Sequence, residues 1–485
     1  MSKQKLLYKT CRYLPLPALG LIFSSTLLAA ADFRDLTPQE QLSEDMLREA
    51  IAYETTQARA GQNLLAMQAI VARLLAAGFA DNDIQIVNPY PDSWGLVVRY
   101  RGTGADGLRP IGAIAHMDVV PANPDAWSFP PFSLGVQEGY YLGRGTSDNK
   151  AGVVQIFANF IRLKQEGWVP DRDIIAAITS DEETTGTMAK WFANEGRELV
   201  DVEYILNTDA GGGEYEDKDN PIAFWVQTSE KVYQTWELSA VNEGGHSSVP
   251  RADNAIADLA LAITRLVENP MPINISDNTV VELKRAADLY PEPVRDTMLA
   301  LANNPEDTAA AARLAAMSPV LNAVLRTTCV PTMLRGGQVE NALPREAVVT
   351  VNCRIMPGTP SSEVEAHMAG LMEGLDIRIT SIYDFISSPP SELPAAFHEQ
   401  LDTLVQQRWG DIPVVPMMSM GATDGLFYRN AGIPVFGVAG LFYLPEDDRA
   451  HGLDERVGIA EFHESVAFWY ELLKAVGKGV PGVAG

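Results

Sequence analysis

Residues 174–178 form an unbroken apolar run that stops at Thr179 and Ser180 and then meets three consecutive carboxylates, Asp181, Glu182 and Glu183. Comparable short runs lie at 96–98, 111–115 and 204–206. Runs that are apolar at every position, not at every second one, suit strands covered on both faces, as in a parallel sheet. Between them, residues 151–163 and 187–192 carry helical spacing. Upstream, Leu64, Met67, Val71, Leu74 and Leu75 fall on one helical face that closes at Gly78. This alternation predicts an α/β domain built on a mostly parallel sheet.

The rhythm changes near residue 230. An exposed-type strand, YQTWELSAV, precedes a helix that sets Ile256, Leu259, Ile263, Leu266 and Val267 in step. Residues 270–325, rich in Ala, Pro and Asn, read as a helical insertion. Two strands, a helix near residues 363–372 and the strand DIRITSIYDF come next. Without the insertion the order is β-α-β-β-α-β, a small two-layer domain. The Pro/Ser-rich SSPPSELP then leads back to IPVVPMM and IPVFGVAG, which resume the first rhythm. The expected organisation is an α/β domain of residues 32–229 and 391–485, interrupted by a lid at 230–390.

Residues 1–31 read as a targeting segment: Lys3, Lys5, Lys9 and Arg12, an apolar run, then Ala29 to Ala31. Pro15 and Pro17 interrupt the run, so the expectation is cleavage and export, to the periplasm or outside the cell, with no stable membrane insertion. The formal charge of −26 repels nucleic acid and anionic lipid. Cys11 leaves with the segment. Cys329 and Cys353 lie in two strand-like stretches, and an antiparallel hairpin centred near Asn341 would set them opposite each other. An oxidising compartment would then permit a disulfide, and two buried free thiols are the other reading.

The chemistry-bearing residues sit just past the apolar runs, at the strand ends where α/β sheets place their sites. His116 and Asp118 come after 111–115, Glu182 and Glu183 after 174–178, and Asp209 after 204–206. Asp148 lies in a glycine-bracketed loop and His451 near the end. Singly, each has a plain structural reading: a hydrogen-bonded histidine, a helix N-cap, a solvated turn. Together, in a chain with only six histidines, they point to a metal site. P-loop, HExxH, GxSxG and dinucleotide-type glycine patterns are absent from the sequence.

The stretches HMDVVP, GRGTSDNKAG, SDEETTG, GGHSSVPRADNAI, ENALPREAVVTVNCRIMPG, GATDGLFYRNAGIPV and AHGLDERV occur in order along the chain and resemble the motifs of the M20 metallopeptidases. PANPDAWSFPPFSL and the long insertion resemble the carboxypeptidase S and N-acyl-amino-acid hydrolase branch. The resemblance implies two divalent metal ions bridged by Asp148, one held by His116 and Asp209, the other by Glu183 and His451. Zinc is the favoured metal, with cobalt or manganese admissible. Asp118 is expected to accept the second ring N–H of His116, fixing its tautomer. Because neighbours on an extended chain point different ways, Glu183 can ligate while Glu182 faces the water as general base. The resemblance further implies that His246 stabilises the oxyanion, from its own lid or a second subunit's in a homodimer. It assigns Asn341 and Arg354 to substrate binding, Arg354 against a free carboxylate. A surface ion pair of Arg354 with Glu346 or Asp384 is the competing reading.

The expected activity is hydrolysis of the amide that joins an acyl or peptidyl group to an amino acid, of the carboxypeptidase or dipeptidase type. N-acyl-amino-acid deacylation is the alternative within the family. A periplasmic ligand-binding protein on the same scaffold is the alternative outside it.

Overall fold

The unbroken apolar runs are central strands. The computed structural model describes residues 35–105 and 107–479, so the targeting segment read at 1–31 lies outside the described residues. Ile174–Thr179 pairs antiparallel with Ser93–Tyr100 and parallel with Ile111–His116. The parallel core continues through Ile205–Asn207 to Val435–Gly437. Beyond them stands Asn220–Glu230, flanked by antiparallel Gly212–Asp217 and parallel Val414–Ser419. Ile174, Ala176 and Ile178 pack with the helices Gly61–Ala76, Lys150–Gln165 and Ile459–Gly477. Ile175 and Ala177 face Thr187–Ala193 and Gly425–Asn430 on the other side. Both faces of the strand are therefore dry, which is why its sequence shows no alternation. His116, Thr179 and Asn207 end three parallel neighbours, so the residues after them meet at one edge.

Helix positions agree with expectation better than helix faces. Gly61–Ala76 buries Asn63, Met67, Ile70 and Leu74, while Leu75 is exposed. In Ala255–Glu268 the buried stripe is Ala255, Leu259, Ala262 and Leu266, and Ile256 and Val267 face outward. One residue turns a helix by about 100°, so two adjacent apolar residues cannot both sit at the centre of a buried stripe.

The second sheet orders its strands Thr328–Gly336, Glu346–Ile355, Val232–Val241 and Ile377–Ser381, all antiparallel. Ala255–Glu268 and Ser361–Leu371 cover one face, with Leu259, Val349, Val351, Val364 and Met368 in the shared core. This is the two-layer β-α-β-β-α-β arrangement. Cys329 and Cys353 are register partners and form a disulfide. The insertion forms four helices, Asp277–Ala286, Val294–Asn303, Thr308–Met317 and Pro319–Leu325. Their Leu283, Leu301, Leu314 and Leu325 pack with Val415 of the large sheet, and Glu282 Oε2 accepts the Met418 N–H at 3.1 Å. The free edge of the lid, Thr328–Gly336, keeps Met333 and Leu334 about 70% exposed (69% and 70%). Among the described residues no helix is long and apolar enough to cross a membrane.

Candidate metal centre and active site

Asp148 stands between two histidines. Its Oδ1 lies 3.0 Å from His116 Nε2 and its Oδ2 3.0 Å from His451 Nε2. His116 Nε2 is also 3.3 Å from Asp209 Oδ1, and His451 Nε2 is 2.9 Å from Glu183 Oε2. One carboxylate thus has a histidine–carboxylate pair on each side. Ligand-type atoms of His116, Asp148 and Glu183 lie within 4.8 Å of one another, and so do those of His116, Glu182 and Asp209. Glu182 is thus near enough to touch whatever His116 and Asp209 hold.

The same geometry tests whether cations fit. Glu183 Oε1 is buried with no hydrogen-bond partner, an expensive state for a carboxylate oxygen unless a ligand occupies it. The donors are imidazole and carboxylate, without thiolate, as in open hydrolytic sites. The residues fit a pair of divalent cations.

The local electrostatics point the same way. Burial disfavours a charged His116, but the Asp209 charge and the hydrogen bonds to neighbouring carboxylates raise its pKa well above the usual value. Hydrogen bonds to Asp148 and Glu183 raise His451 to about 10. Burial raises Asp209 to about 6. Burial also pushes Glu182 well up, with Asp209, Asp424 and Asp118 adding repulsion against the pull of His116.

Asp118 departs from its expected role. His116 Nδ1 lies 3.0 Å from the backbone carbonyl of Asp118, while the side-chain Oδ1 is 3.6 Å away. The carbonyl therefore fixes the ring. The Asp118 carboxylate accepts the backbone N–H groups of Glu182 (3.2 Å) and Glu183 (3.0 Å), holding the turn that carries both acids. Asp181 accepts from Ser93, Thr185 and the Met188 N–H, capping the helix Thr187–Ala193. Of the three consecutive carboxylates, one anchors the turn and two face the centre.

Glu455 and Asn149 escaped the sequence reading. Glu455 is fully buried and accepts from the backbone N–H groups of Gly145, Ser147 and Asp148, and from the Ser147 hydroxyl. It also pairs with buried Arg144 at 2.6 Å. It ties the Asp148 loop to the His451 loop, and its place in AHGLDERV was the available signal. Asn149 Nδ2 donates to Asp209 Oδ1 at 3.1 Å. The triple glycine at 211–213 serves packing: a Cβ on Gly211 (φ +74°) would come within 2.3 Å of the Gly437 carbonyl.

The structure does not bring the lid residues into this cluster. His246 lies on an exposed two-residue strand paired with Ala342–Leu343, its Nδ1 2.7 Å from the Ser248 hydroxyl. Asn341 is exposed beside it and accepts the Ser247 N–H through its carbonyl. Arg354 is partly buried over the Tyr233 ring at 4.8 Å, and burial lowers its pKa. Among the described residues it has no ion pair with Glu346 or Asp384. Its charge instead helps burial to lower Lys231, whose Nζ donates to the Arg326 carbonyl at 2.7 Å, to about 8.

Fold and site define a metallohydrolase-type α/β enzyme with a lid. Residues 112–475 match the model of peptidase family M20/M25/M40, and the chain belongs to that family. It is 31% identical over 385 residues to the N-fatty-acyl-amino acid synthase/hydrolase PM20D1 of Homo sapiens, covering 76% of this chain and 75% of that protein. It is 30% identical to the probable carboxypeptidase S-like 2 of Dictyostelium discoideum, covering 79% and 74%. The fold matches the M20 family metallo-carboxypeptidase Sso-CP2 from Sulfolobus solfataricus with a TM-score of 0.66 at 16% identity, over 90% of this chain and 99% of that one.

Proposed function

We propose that this chain is an exported, dinuclear metal-dependent amide hydrolase that releases an amino acid from an N-acyl amino acid or a peptide. The observation that carries the reading is Asp148, whose two oxygens face His116 and His451 while Asp209 and Glu183 complete the two sides. His116 and Asp209 would hold one ion and Glu183 and His451 the other. Zinc suits the donors, and cobalt or manganese would be accepted. Bound cations would polarise the scissile carbonyl and lower the pKa of the attacking water.

The chain's own residues do the rest. Glu182, held toward the centre by the Asp118 clamp, takes a proton from the water on its carboxylate and returns it to the leaving amine nitrogen. Arg354 offers positive charge to the free carboxylate of the amino-acid side. His246 and Asn341, on the exposed lid loop, reach the scissile carbonyl when the lid meets the site, from the same chain or from a second copy. Sedimentation showing a fully active monomer would assign His246 to its own cleft.

A cavity of about 550 Å³, walled by apolar side chains and also by Lys218, Asp447, Arg449 and Arg456, offers room for an acyl or a peptidyl group. It opens beside Asp148 and Asp209, with Tyr215, Trp225, Met417, Leu441, Phe442 and Tyr443 in its walls. None of its lining comes from the lid strands, so with the carboxylate at Arg354 the acyl or peptidyl group takes this side.

The test is Glu182→Gln. The variant is expected to keep its metal and lose about 100-fold or more in kcat on N-acyl amino acids. Near-wild-type hydrolysis by Glu182→Gln would remove the mechanism. A wild-type chain that holds ligand uncleaved and takes up no metal would point to a binding protein instead.

A further inference from the structure

Both chain crossings between the large sheet and the lid pass one buried carboxylate. Outbound, Glu230 ends the strand Asn220–Glu230, and the lid strand begins at Val232. On the return, the Ser388 hydroxyl donates to Glu230 Oε1 at 3.3 Å, and Ser391 N–H donates to the Thr228 carbonyl at 2.8 Å. The Arg429 guanidinium, also buried, lies 2.8 Å from Glu230 Oε1. Glu230 Oε2 accepts both the N–H and the hydroxyl of Thr423, each at 2.9 Å. The Thr423 oxygen in turn accepts from Asn207 Nδ2 at 3.2 Å, and Asn207 Oδ1 accepts the Asp209 N–H at 2.9 Å.

We propose that Glu230 is a positioning residue that couples the orientation of the lid to the placement of Asp209, through Thr423 and Asn207. The inference rests on the dinuclear reading above. A buried carboxylate holds its place only while its partners are in register, because each lost donor leaves an unpaired lone pair in a dry site. Lid rotation moves Ser388 against Glu230. Glu230 shifts against Thr423, and the Asn207 amide that orients the Asp209 backbone moves with it. Arg429 is held as well by Gln227 (2.9 Å), the Val435 carbonyl (3.1 Å) and the Ser391 hydroxyl (3.3 Å), and Gln227 Nε2 donates in turn to Glu230 Oε2 at 3.3 Å, so the guanidinium and Gln227 brace the carboxylate.

The experiment is Zn²⁺ titration against a competing chelator, without substrate, on the full chain. Thr423→Val removes the hydroxyl that joins Glu230 to Asn207, and with it the acceptor of the Gly425 N–H, while the backbone N–H to Glu230 and the Glu230–Arg429 pair stay in place; Glu230→Gln strands Arg429 and serves only as a second variant. Thr423→Val is expected to weaken one Zn²⁺ ion about 10-fold, the scale of an outer hydrogen-bond partner. Ser388→Ala, at the hinge, is expected to weaken the same ion several-fold. The double variant is expected to be no weaker than Thr423→Val alone, because both act through one chain of contacts. A purely structural role would lower the melting temperature and leave Zn²⁺ affinity unmoved. Unchanged Zn²⁺ affinity in both single variants, or strictly additive effects, overturns the coupling while the wild type still binds two ions. A wild type that binds no Zn²⁺ overturns the dinuclear reading and the coupling with it.

Discussion

His116 and His451 face carboxylates on their ligand-side nitrogens, and in the metal-free chain these contacts favour the charged, doubly protonated rings, raising His116 well above the usual value and His451 to about 10. Ligation requires them neutral, so metal uptake must expel those protons. Zn²⁺ affinity is therefore expected to rise with pH between about 6 and 8, with up to about two protons released per chain. Calorimetry in buffers of different ionisation enthalpy reads that number directly, and no proton release would mean that the rings are not ligands. Arg354 makes a second prediction. Arg354→Ala is expected to raise KM about 10- to 100-fold for substrates with a free carboxylate, the value of a charge-assisted contact. The matching carboxamides should be indifferent, and equal losses on both would send Arg354 back to a packing role.

At the scale of elements, the helix Asp277–Ala286 carries a half-buried acid, Glu282, against the large sheet. Burial raises Glu282 from 4.5 to about 7. A folded-state pKa above the unfolded value means that ionisation favours unfolding, so stability falls as pH rises from 4.5 to about 7 and then levels. Glu282→Gln keeps an acceptor for the Met418 N–H and is expected to gain roughly 1–3 kcal/mol at about pH 8, and nothing at about pH 4. Denaturant titration at the two pH values checks it. The disulfide closes 24 residues of lid hairpin, and Cys329→Ser is expected to cost about 3 kcal/mol, with the loss confined to the lid in hydrogen exchange. The strands were legible because two-sided burial leaves an unmistakable apolar run. The faces of Gly61–Ala76 and Ala255–Glu268 were less so, since Leu75, Ile256 and Val267 count as apolar whichever way they point. Glu230 and Glu455 were hidden for the opposite reason. A charged residue reads as solvent-facing until its buried partners, Arg429 and Arg144, are seen beside it.

At the scale of the molecule, five ligand-type residues spread from 116 to 451 converge on one centre at the sheet edge. That convergence was readable from the acids and histidines placed just past the apolar runs. The distance of His246, Asn341 and Arg354 from the cluster was not. It depends on how the lid sits on two crossings, and local sequence carries no angle.

Glu455 reaches back more than three hundred residues (sequence separation 307) to the Asp148 N–H, and His451 to the Asp148 carboxylate. The loop between Gly145 and Asp148 is thus held by Glu455, in the segment just before the last helix. A chain still emerging from the ribosome, or one cut short of residue 451, therefore has the Asp148 carboxylate without its partner on the far side, and the site is complete only once the C-terminal segment has docked.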